Sequence, residues 1–403
     1  EVPSFKKATI NIGDRQKGRL FAPSVINSTN KSSDIEKSIK IIYEKEFKRT
    51  LERSSNPYGE GGASKTIINN MKKKYSGSQT YDIITLGEVM LRMDPGDGRI
   101  RSSRSFKVWE GGGEYNVSRA FAKCFHKRSA IITSFVKNEI GYLLSDLIMQ
   151  GGVDTSLIHW KEFDGTGRSS RNGIYFLEKG FGIRGALGCS DRANTAISHL
   201  NSNEIDWDHI FKNLGTKWFH TGGIYAGLSK NSPDVIIKAM KSAKKYGAKI
   251  SYDLNYRASL WNSLGGFKAA QKINKEIVNY VDVLFGNEED FTACLGFEVE
   301  GVDSELKILP ETNFKKMISK VKKTYKNLEI IGTTLRRVVT ANSNDWSAIA
   351  WSKNRGFVNA KPYPELDIYD RVGGGDGFAS GFIYGIMEGL DLEEAINIGT
   401  THG

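Results

Sequence analysis

From residue 81 onward, short apolar runs alternate with longer amphipathic ones. YDIITLGEVMLRM (81–93), IYFLE (174–178), KWFHTGGI (217–224), AKISYDLNY (248–256), YVDVLFGN (280–287) and LEIIGTTL (328–335) read as strands. Helical stretches such as SPDVIIKAMKSAKKYG (232–247) separate them. Strands spaced by helices of that length predict parallel βαβ units, with any ligand lying outside the carboxyl ends of the strands.

The first 80 residues have a different texture. Residues 1–31 read as strand and loop around ATINIGDRQKGRL (8–20). Ser33-Asp34-Ile35-Glu36 then reads as a capping box that opens a helix, with Ile35, Ile39, Ile42 and Phe47 near one face. NPYGEGGAS (56–64) breaks the pattern, and a second short helix through Ile67, Ile68 and Met71 is expected. One strand with two helices buries too little to stand alone, so this piece calls for a partner surface. KKKYSGSQT (72–80) reads as a polar linker, which puts the division at 1–78 and 79–403.

Composition narrows the class. The 403 residues are 39% hydrophobic and 26% charged, an ordinary globular balance with no apolar run long enough to span a bilayer. Of the net charge of +11, most belongs to residues 1–80, which hold 16 Lys and Arg against 8 Asp and Glu. That excess lies along an amphipathic helix without interleaved aromatics, so a solvated basic face is expected, and neither nucleic acid nor membrane as a partner. Cys124, Cys189 and Cys294 are too scattered for a disulfide framework or a zinc site, which suggests a reducing, cytoplasmic setting. His220, in WFHTGG, reads as a satisfied strand-end residue.

The chemistry concentrates in DRVGGGDGFASGF (370–382). Gly373, Gly374 and Gly375 run into Asp376 at the start of a helical segment. Amides at a helix N-terminus form an anion site, and glycine lets a ligand approach the backbone closely. A carboxylate inside such a nest can take the proton of an attacking hydroxyl while the amides stabilise developing charge. A glycine-rich structural turn is the alternative. In EGGGEYN (110–116), Gly112, Gly113 and the amide of Asn116 suit sugar hydroxyls, or else make a locally capped turn. In DLNYR, Asp253, Asn255 and Arg257 fall at a strand end, where a cation offsets phosphate charge or joins a buried ion pair.

These segments, LGEVMLRMDPG (86–96), EGGGEYNVSRA (110–120), SYDLNYRASLW (251–261), GNEEDF (286–291) and DRVGGGDGF (370–378), resemble in order those of the PfkB, ribokinase-like carbohydrate kinases, and among them the 2-keto-3-deoxygluconate kinase-like members. The resemblance implies a three-layer α/β/α ribokinase-like fold with a small β lid, ATP and Mg2+ as cofactors, and a sugar or sugar acid as substrate. It makes Asp376 the general base, Gly373, Gly374 and Gly375 the anion hole, and Arg257 a catalytic cation. Gly112, Gly113, Asn116, Tyr175, Asp253 and Asn255 would hold the sugar. Asn287, Asp370 and Gly375 would meet the nucleotide, with Asn287, Glu288 or Asp290 arranging Mg2+ through water. Asp290 stands where the family's Asn-x-x-Glu element has glutamate, and Arg371 and Gly374 depart from its Asp-Thr-Val-Gly-Ala-Gly-Asp signature. RSSRNGIYFLEKGFGIRG (168–185) falls in the lid, where Arg168, Arg171, Arg184 and Tyr175 could meet a carboxylate. Leu177 occupies the place where the keto-deoxy acid kinases carry an arginine, so a neutral hexose or another keto acid stays open. TTLRRVVTANSNDWSAI (333–349) stands at the nucleotide strands without the family's Lys-x-Gly-x-x-Gly look, and NIGTTHG (397–403) reads as an adenine-pocket helix cut short.

Residues 1 to about 73 resemble the C-terminal end of UDP-N-acetylglucosamine 2-epimerases, a piece of a Rossmann-like, GT-B type lobe. The resemblance rests on Glu1-Val-Pro-Ser-Phe5, Asn11-Ile-Gly-Asp-Arg-Gln16, Gly18-Arg19 and Asn56-Pro-Tyr-Gly59, and would put Glu1 and Arg15 near a uridine nucleotide. The upstream glycine-rich loop and acid/base residues of that family do not occur in this sequence, so a fusion joint is expected here. Two rival readings remain open: a bifunctional epimerase and sugar kinase, and a non-catalytic sugar-binding protein on a kinase fold. A homodimer is expected from the family alone.

Overall fold

The computed structural model describes residues 2–14, 16–57, 64, 80–298, 311–370 and 372–403. The chain divides into two compact units, Glu1–Gly77 and Ser78–Gly403.

In the first unit, β1 (Thr9–Ile12) and β2 (Val25–Ser28) pair in parallel, Thr9 against Val25. The expected capping box does not form. The helix runs Ser32–Ile42 from Lys31, which makes no side-chain cap, and Asp34 instead accepts a 2.6 Å bond from the Thr29 hydroxyl. Nor is it one helix through Phe47. Glu44 turns extended at ψ 145° and a second helix, Lys45–Arg53, starts there, because the polar run Glu44-Lys45-Glu46 offers no apolar position to keep the stripe continuous. Ile39, Ile41 and Tyr43 are exposed, and Ala22 is the unit's one fully buried hydrophobic residue among those described. Glu1, Arg15, Tyr58, Gly59, Ile67, Ile68 and Met71 lie outside the described residues.

The second unit is built on a ten-stranded sheet. Its strands are β3 (Tyr81–Leu86), β6 (Ser129–Val136), β7 (Ile158–Lys161), β10 (Thr216–Gly222), β11 (Lys249–Asp253), β12 (Val283–Phe285), β13 (Ile330–Val338), β14 (Ser343–Ser352), β15 (Gly356–Asn359) and β16 (Tyr363–Asp367). The order is β15-β14-β13-β12-β11-β10-β3-β6-β7, with β16 also paired to β14. Every pair from β7 to β13 is parallel, as the helix spacing predicts, whereas β13–β14, β14–β15 and β14–β16 are antiparallel.

Alternation along the parallel strands makes three layers. Ile84, Phe219 and Leu284 enter the core formed with helices Ser232–Lys245, Gly266–Ile277 and Glu311–Thr324. Their neighbours Ile83, Trp218, Val283 and Phe285 enter the opposite core, under helices Gly113–Lys123, Gly374–Met387 and Leu392–His402. Successive strand side chains point to opposite faces, so the middle of each of these strands places apolar side chains on both faces.

A separate four-stranded sheet forms the lid. It orders β5 (Lys107–Gly111), β4 (Met90–Asp94), β8 (Ile174–Glu178) and β9 (Leu187–Asp191). Among the described residues, no helix is long and apolar enough to cross a membrane.

Candidate active site

The three-glycine stretch is a helix start. Gly373 caps helix Gly374–Met387 at φ 84°, a left-handed conformation that favours glycine, and its carbonyl accepts the first helical bond, from the Gly377 amide, at 2.7 Å. The amides of Gly374, Gly375 and Asp376 precede that bond and have no carbonyl inside the helix to donate to. Asp376 sits in the first turn, between these amides and the next glycine loop.

That loop joins β5 to helix Gly113–Lys123. A side chain at Gly112 would overlap the Glu88 carbonyl oxygen at 1.9 Å, so the backbone crossing admits only glycine. At Gly113 a Cβ would stand 3.3 Å from Asp376 Oδ1 and 3.7 Å from Asn255 Nδ2. From the same helix Asn116 Nδ2 donates to Asp376 Oδ2 at 2.7 Å. Gly112, Gly113, Asn116, Asn255 and Asp376 therefore meet, as the sequence expects.

Strand β11 brings Asp253 to its end, where it accepts a 3.2 Å bond from the Asn255 amide; Asn255 itself is left-handed at φ 31°. Burial first, then the charges of Asp290 and Asp376, push the Asp253 carboxyl up to about 8, with Arg257 opposing. Burial also raises Asp376, against the bond from Asn116 and the charge of Arg257. Arg257 is exposed beside them, donating to the Tyr256 carbonyl at 2.8 Å.

Tyr175 reaches in from the lid, its hydroxyl 2.4 Å from where a Gly111 Cβ would be. Burial raises that hydroxyl to about 12. Asp370 lies on the loop before the anion site, with Oδ2 2.7 Å from Arg92 Nη2 and Oδ1 accepting from the Val372 amide at 3.0 Å.

A cleft of about 250 Å³ is lined by Asp370, Gly374 and Gly375 together with Arg336, Trp346 and Tyr363. Two of the three glycines and Asp370 thus face this cleft, and nothing stands within 4 Å of a Cβ placed at Gly375. Trp346 is fixed by a 2.9 Å bond from Nε1 to the Thr400 carbonyl.

Asn287 and Asp290 are brought together as a helix cap. The Asn287 side chain accepts from the Asp290 amide at 3.0 Å, and Asp290 Oδ2 accepts from the Asn287 amide at 2.8 Å. Asp290 Oδ1 holds the Tyr256 amide at 2.7 Å, which ties the cap to the DLNYR turn. Both oxygens are thus engaged with backbone, a geometry poorly suited to direct coordination of a metal. Among the described residues no cluster of three His, Cys, Asp or Glu could cage a metal.

Two of the lid arginines are occupied elsewhere. Arg171 bonds Asp191 and the Ala193 carbonyl, and Arg184 stays with Glu178 and the Lys179 carbonyl. Arg168 is exposed. His220 is buried on β10, Nδ1 2.8 Å from Ser251 Oγ, and burial lowers it to about 3, so it is neutral. The three cysteines are free.

Four groups were missed by motif reading. Glu88 and Glu114 are buried at 2% and 3% exposure, and burial raises them to about 7 and 8. Arg192 Nε lies 3.3 Å from Glu88. Arg92 holds Asp370. Glu88 and Arg92 stand in LGEVMLRM, whose charged residues inside an apolar strand pattern are the signal that was available.

Known proteins share this architecture. The 2-dehydro-3-deoxygluconokinase of Thermotoga maritima superposes with a TM-score of 0.72 at 34% identity, over 79% of this chain and 91% of that one. The 2-dehydro-3-deoxygalactonokinase of Haloferax volcanii is 25% identical, over 79% of this chain and 89% of its own. The 5-dehydro-2-deoxygluconokinase of Clostridium botulinum is 26% identical, over 81% and 87%. Residues 1–72 match the UDP-N-acetylglucosamine 2-epimerase family. The pfkB family carbohydrate kinase model matches residues 82–403, and the chain belongs to that family.

Proposed function

We propose that the protein transfers the γ-phosphoryl group of ATP, with Mg2+, to a hydroxyl of a six-carbon keto-deoxy sugar acid. The observation that carries this is the position of Asp376. It is held by Asn116 beside Gly113, near Asn255, and it directly follows Gly374 and Gly375, which line the Trp346 cleft. A proton acceptor between an acceptor site and a phosphate site is the arrangement phosphoryl transfer needs.

In this reading Gly112, Gly113, Asn116, Asp253 and Asn255 orient the sugar, and Tyr175 covers it from the lid. Asp376 takes the proton of the attacking hydroxyl. Its raised basicity favours that step, and Asn116 keeps the second carboxylate oxygen from swinging away. The amides from Gly373 to Gly375 and the Arg257 guanidinium balance charge on the transferring group. Asp370 and Gly375 meet the nucleotide, and Arg336, Trp346 and Tyr363 supply a cationic and aromatic wall suited to it. The open backbone at Gly375 fits a phosphate chain, and Mg2+ would be held by phosphate and water with Asn287 and Asp290 behind. Bound Mg-ATP supplies the phosphoryl group and the metal's charge neutralisation.

All three relatives named above are kinases of keto-deoxy aldonic acids, which supports an acid over a neutral hexose. Residues 1–78 are read as a joint to that kinase. The test is ADP release with Mg-ATP over 2-keto-3-deoxygluconate, 2-keto-3-deoxygalactonate, 5-keto-2-deoxygluconate, fructose and ribose, run beside Asp376→Asn. Turnover on an acid that vanishes in the variant supports the reading; turnover on neutral sugars alone moves it to another substrate class.

A further inference from the structure

Arg92 stands in register with Tyr175 across the parallel β4–β8 pair and opposite Trp109 on β5, so these side chains leave the same face of the lid. Its side chain is only 11% exposed. Nη2 donates to Asp370 Oδ2 at 2.7 Å and lies 3.4 Å from Asp94 Oδ2. Nε is buried and finds no acceptor among the described residues.

Nε and Nη2 form one edge of a guanidinium, spaced to grip both oxygens of a carboxylate. Here that edge is half used. Asp370 gives it one oxygen and turns the other to the Val372 amide, so it cannot also serve Nε. A buried donor left without an acceptor is costly, and a ligand that supplies one regains that cost.

We propose that Arg92 reads the carboxylate of the sugar acid, which takes the Nε–Nη2 edge in place of Asp370. The inference rests on the sugar-acid reading above and names the residue that makes it selective. Arg171 is taken by Asp191, Arg184 bonds the Lys179 carbonyl although its Nε, like that of Arg192, is also buried without an acceptor among the described residues, and Leu177, on the same face as Tyr175, has no donor. Arg192 also lies near Tyr175, but its partner Glu88 is 2% exposed and fixed in the core. Asp370 is 38% exposed on a loop and free to leave. The exchange replaces one carboxylate by another while Asp94 stays, so the charge around Arg92 does not change. The Tyr175 hydroxyl, protonated at neutral pH, is a second donor on that face. Asp370, once displaced, belongs to the wall of the Trp346 cleft, so acid binding and nucleotide binding share this side chain.

The test compares wild type, Arg92→Met, Arg92→Lys and Arg192→Met, with initial rates for 2-keto-3-deoxygluconate and fructose and calorimetric titration of the same acid. Arg92→Met is expected to raise KM and Kd for the acid by about 10- to 100-fold, the range of a lost charge-assisted pair, and to raise the KM for fructose by a factor at least about fivefold smaller, since the release of Asp370 affects both substrates alike. Arg92→Lys, a point charge of similar length, falls between. An equal loss for acid and neutral sugar, or a fall in kcat alone, overturns the proposal and leaves Arg92 a brace for the loop; so does loss of acid selectivity in Arg192→Met instead. Wild-type turnover confined to neutral sugars overturns it together with the sugar-acid reading. Arg92-dependent binding of the acid without turnover upholds it while the kinase reading fails.

Discussion

Asn116 and Asp376, 260 positions apart, meet at 2.7 Å through Nδ2 and Oδ2, and this bond joins the helix that follows the lid to the helix that opens the anion site. Removing the carboxylate should abolish general-base help without disturbing the fold. Asp376→Asn is expected to lower kcat by about 10²- to 10⁴-fold with little change in Tm, checked by steady-state kinetics and thermal melts.

The same bond sets a pH profile. Burial raises Asp376, while the Asn116 donor and Arg257 favour its charged form and hold it down. With Asp376 as the proposed base the deprotonated carboxylate is the active form, so kcat/KM should fall as pH drops through this raised value. In Asn116→Ala the donor is gone and the acid limb moves to higher pH. A limb that stays in place, or moves to lower pH, would show that Asp376 is not the titrating base.

Stability should follow a second set of carboxyls with the opposite dependence on pH. Glu88 and Glu114, at about 7 and 8, bind protons in the folded protein that an unfolded glutamate near pH 4.3 releases. Between those values the native state holds more protons than the unfolded one, so stability falls as pH rises. The contribution is complete below about pH 4 and is lost through about pH 8. The Tm of the protein should therefore decline from pH 6 to pH 9 in excess of any general trend. Glu114→Gln, which is neutral throughout, should flatten part of that decline, leaving the variant about 1–3 °C above wild type at pH 9. An unchanged slope in the variant would refute the assignment to Glu114.

The glycines of the anion site separate by geometry. Gly373 at φ 84° strains any side chain, so Gly373→Ala should cost about 1 kcal/mol of stability, read by denaturant melts. Gly375 has open space around a Cβ and lines the Trp346 cleft. Gly375→Val should then leave Tm within about 1 °C while raising KM for ATP about tenfold or more. Equal effects at the two positions would argue against a nucleotide in that cleft.

What could be read without coordinates was whatever carries its own period or its own backbone constraint. The strands Thr216–Gly222, Lys249–Asp253 and Ile174–Glu178 follow from apolar runs of the right length, and Gly373-Gly374-Gly375-Asp376 announces the start of the helix that Gly373 caps. Pairing across long separations left no such mark. Arg92 and Asp370 are 278 positions apart, and nothing local to either says that they meet. Asn287 and Asp290 were legible as a pair, yet the capping box that engages both is a matter of where one helix starts, the least certain feature of a sequence pattern. The box expected at Ser33–Glu36 failed for the same reason, since Thr29 and Asp34 bond each other one turn earlier.

The distribution of buried hydrophobic residues makes the last prediction. All three apolar cores draw their residues from Tyr81 onward, and the strands and helices that carry Arg92, Asn116, Asp253 and Asp376 belong to the unit that begins at Ser78. The first unit has one fully buried hydrophobic residue among those described, Ala22, and a two-stranded sheet. If the kinase reading of residues 79–403 holds, a chain starting at Gln79 should melt within about 2 °C of the whole protein. Its KM for sugar and ATP should lie within about twofold, because the three apolar cores keep all their described residues. The measurement is a pair of thermal melts with matched kinetics. A shortened chain that fails to fold, or folds and loses sugar binding, would mean that residues 1–78 contribute to the kinase itself and are not merely joined to it.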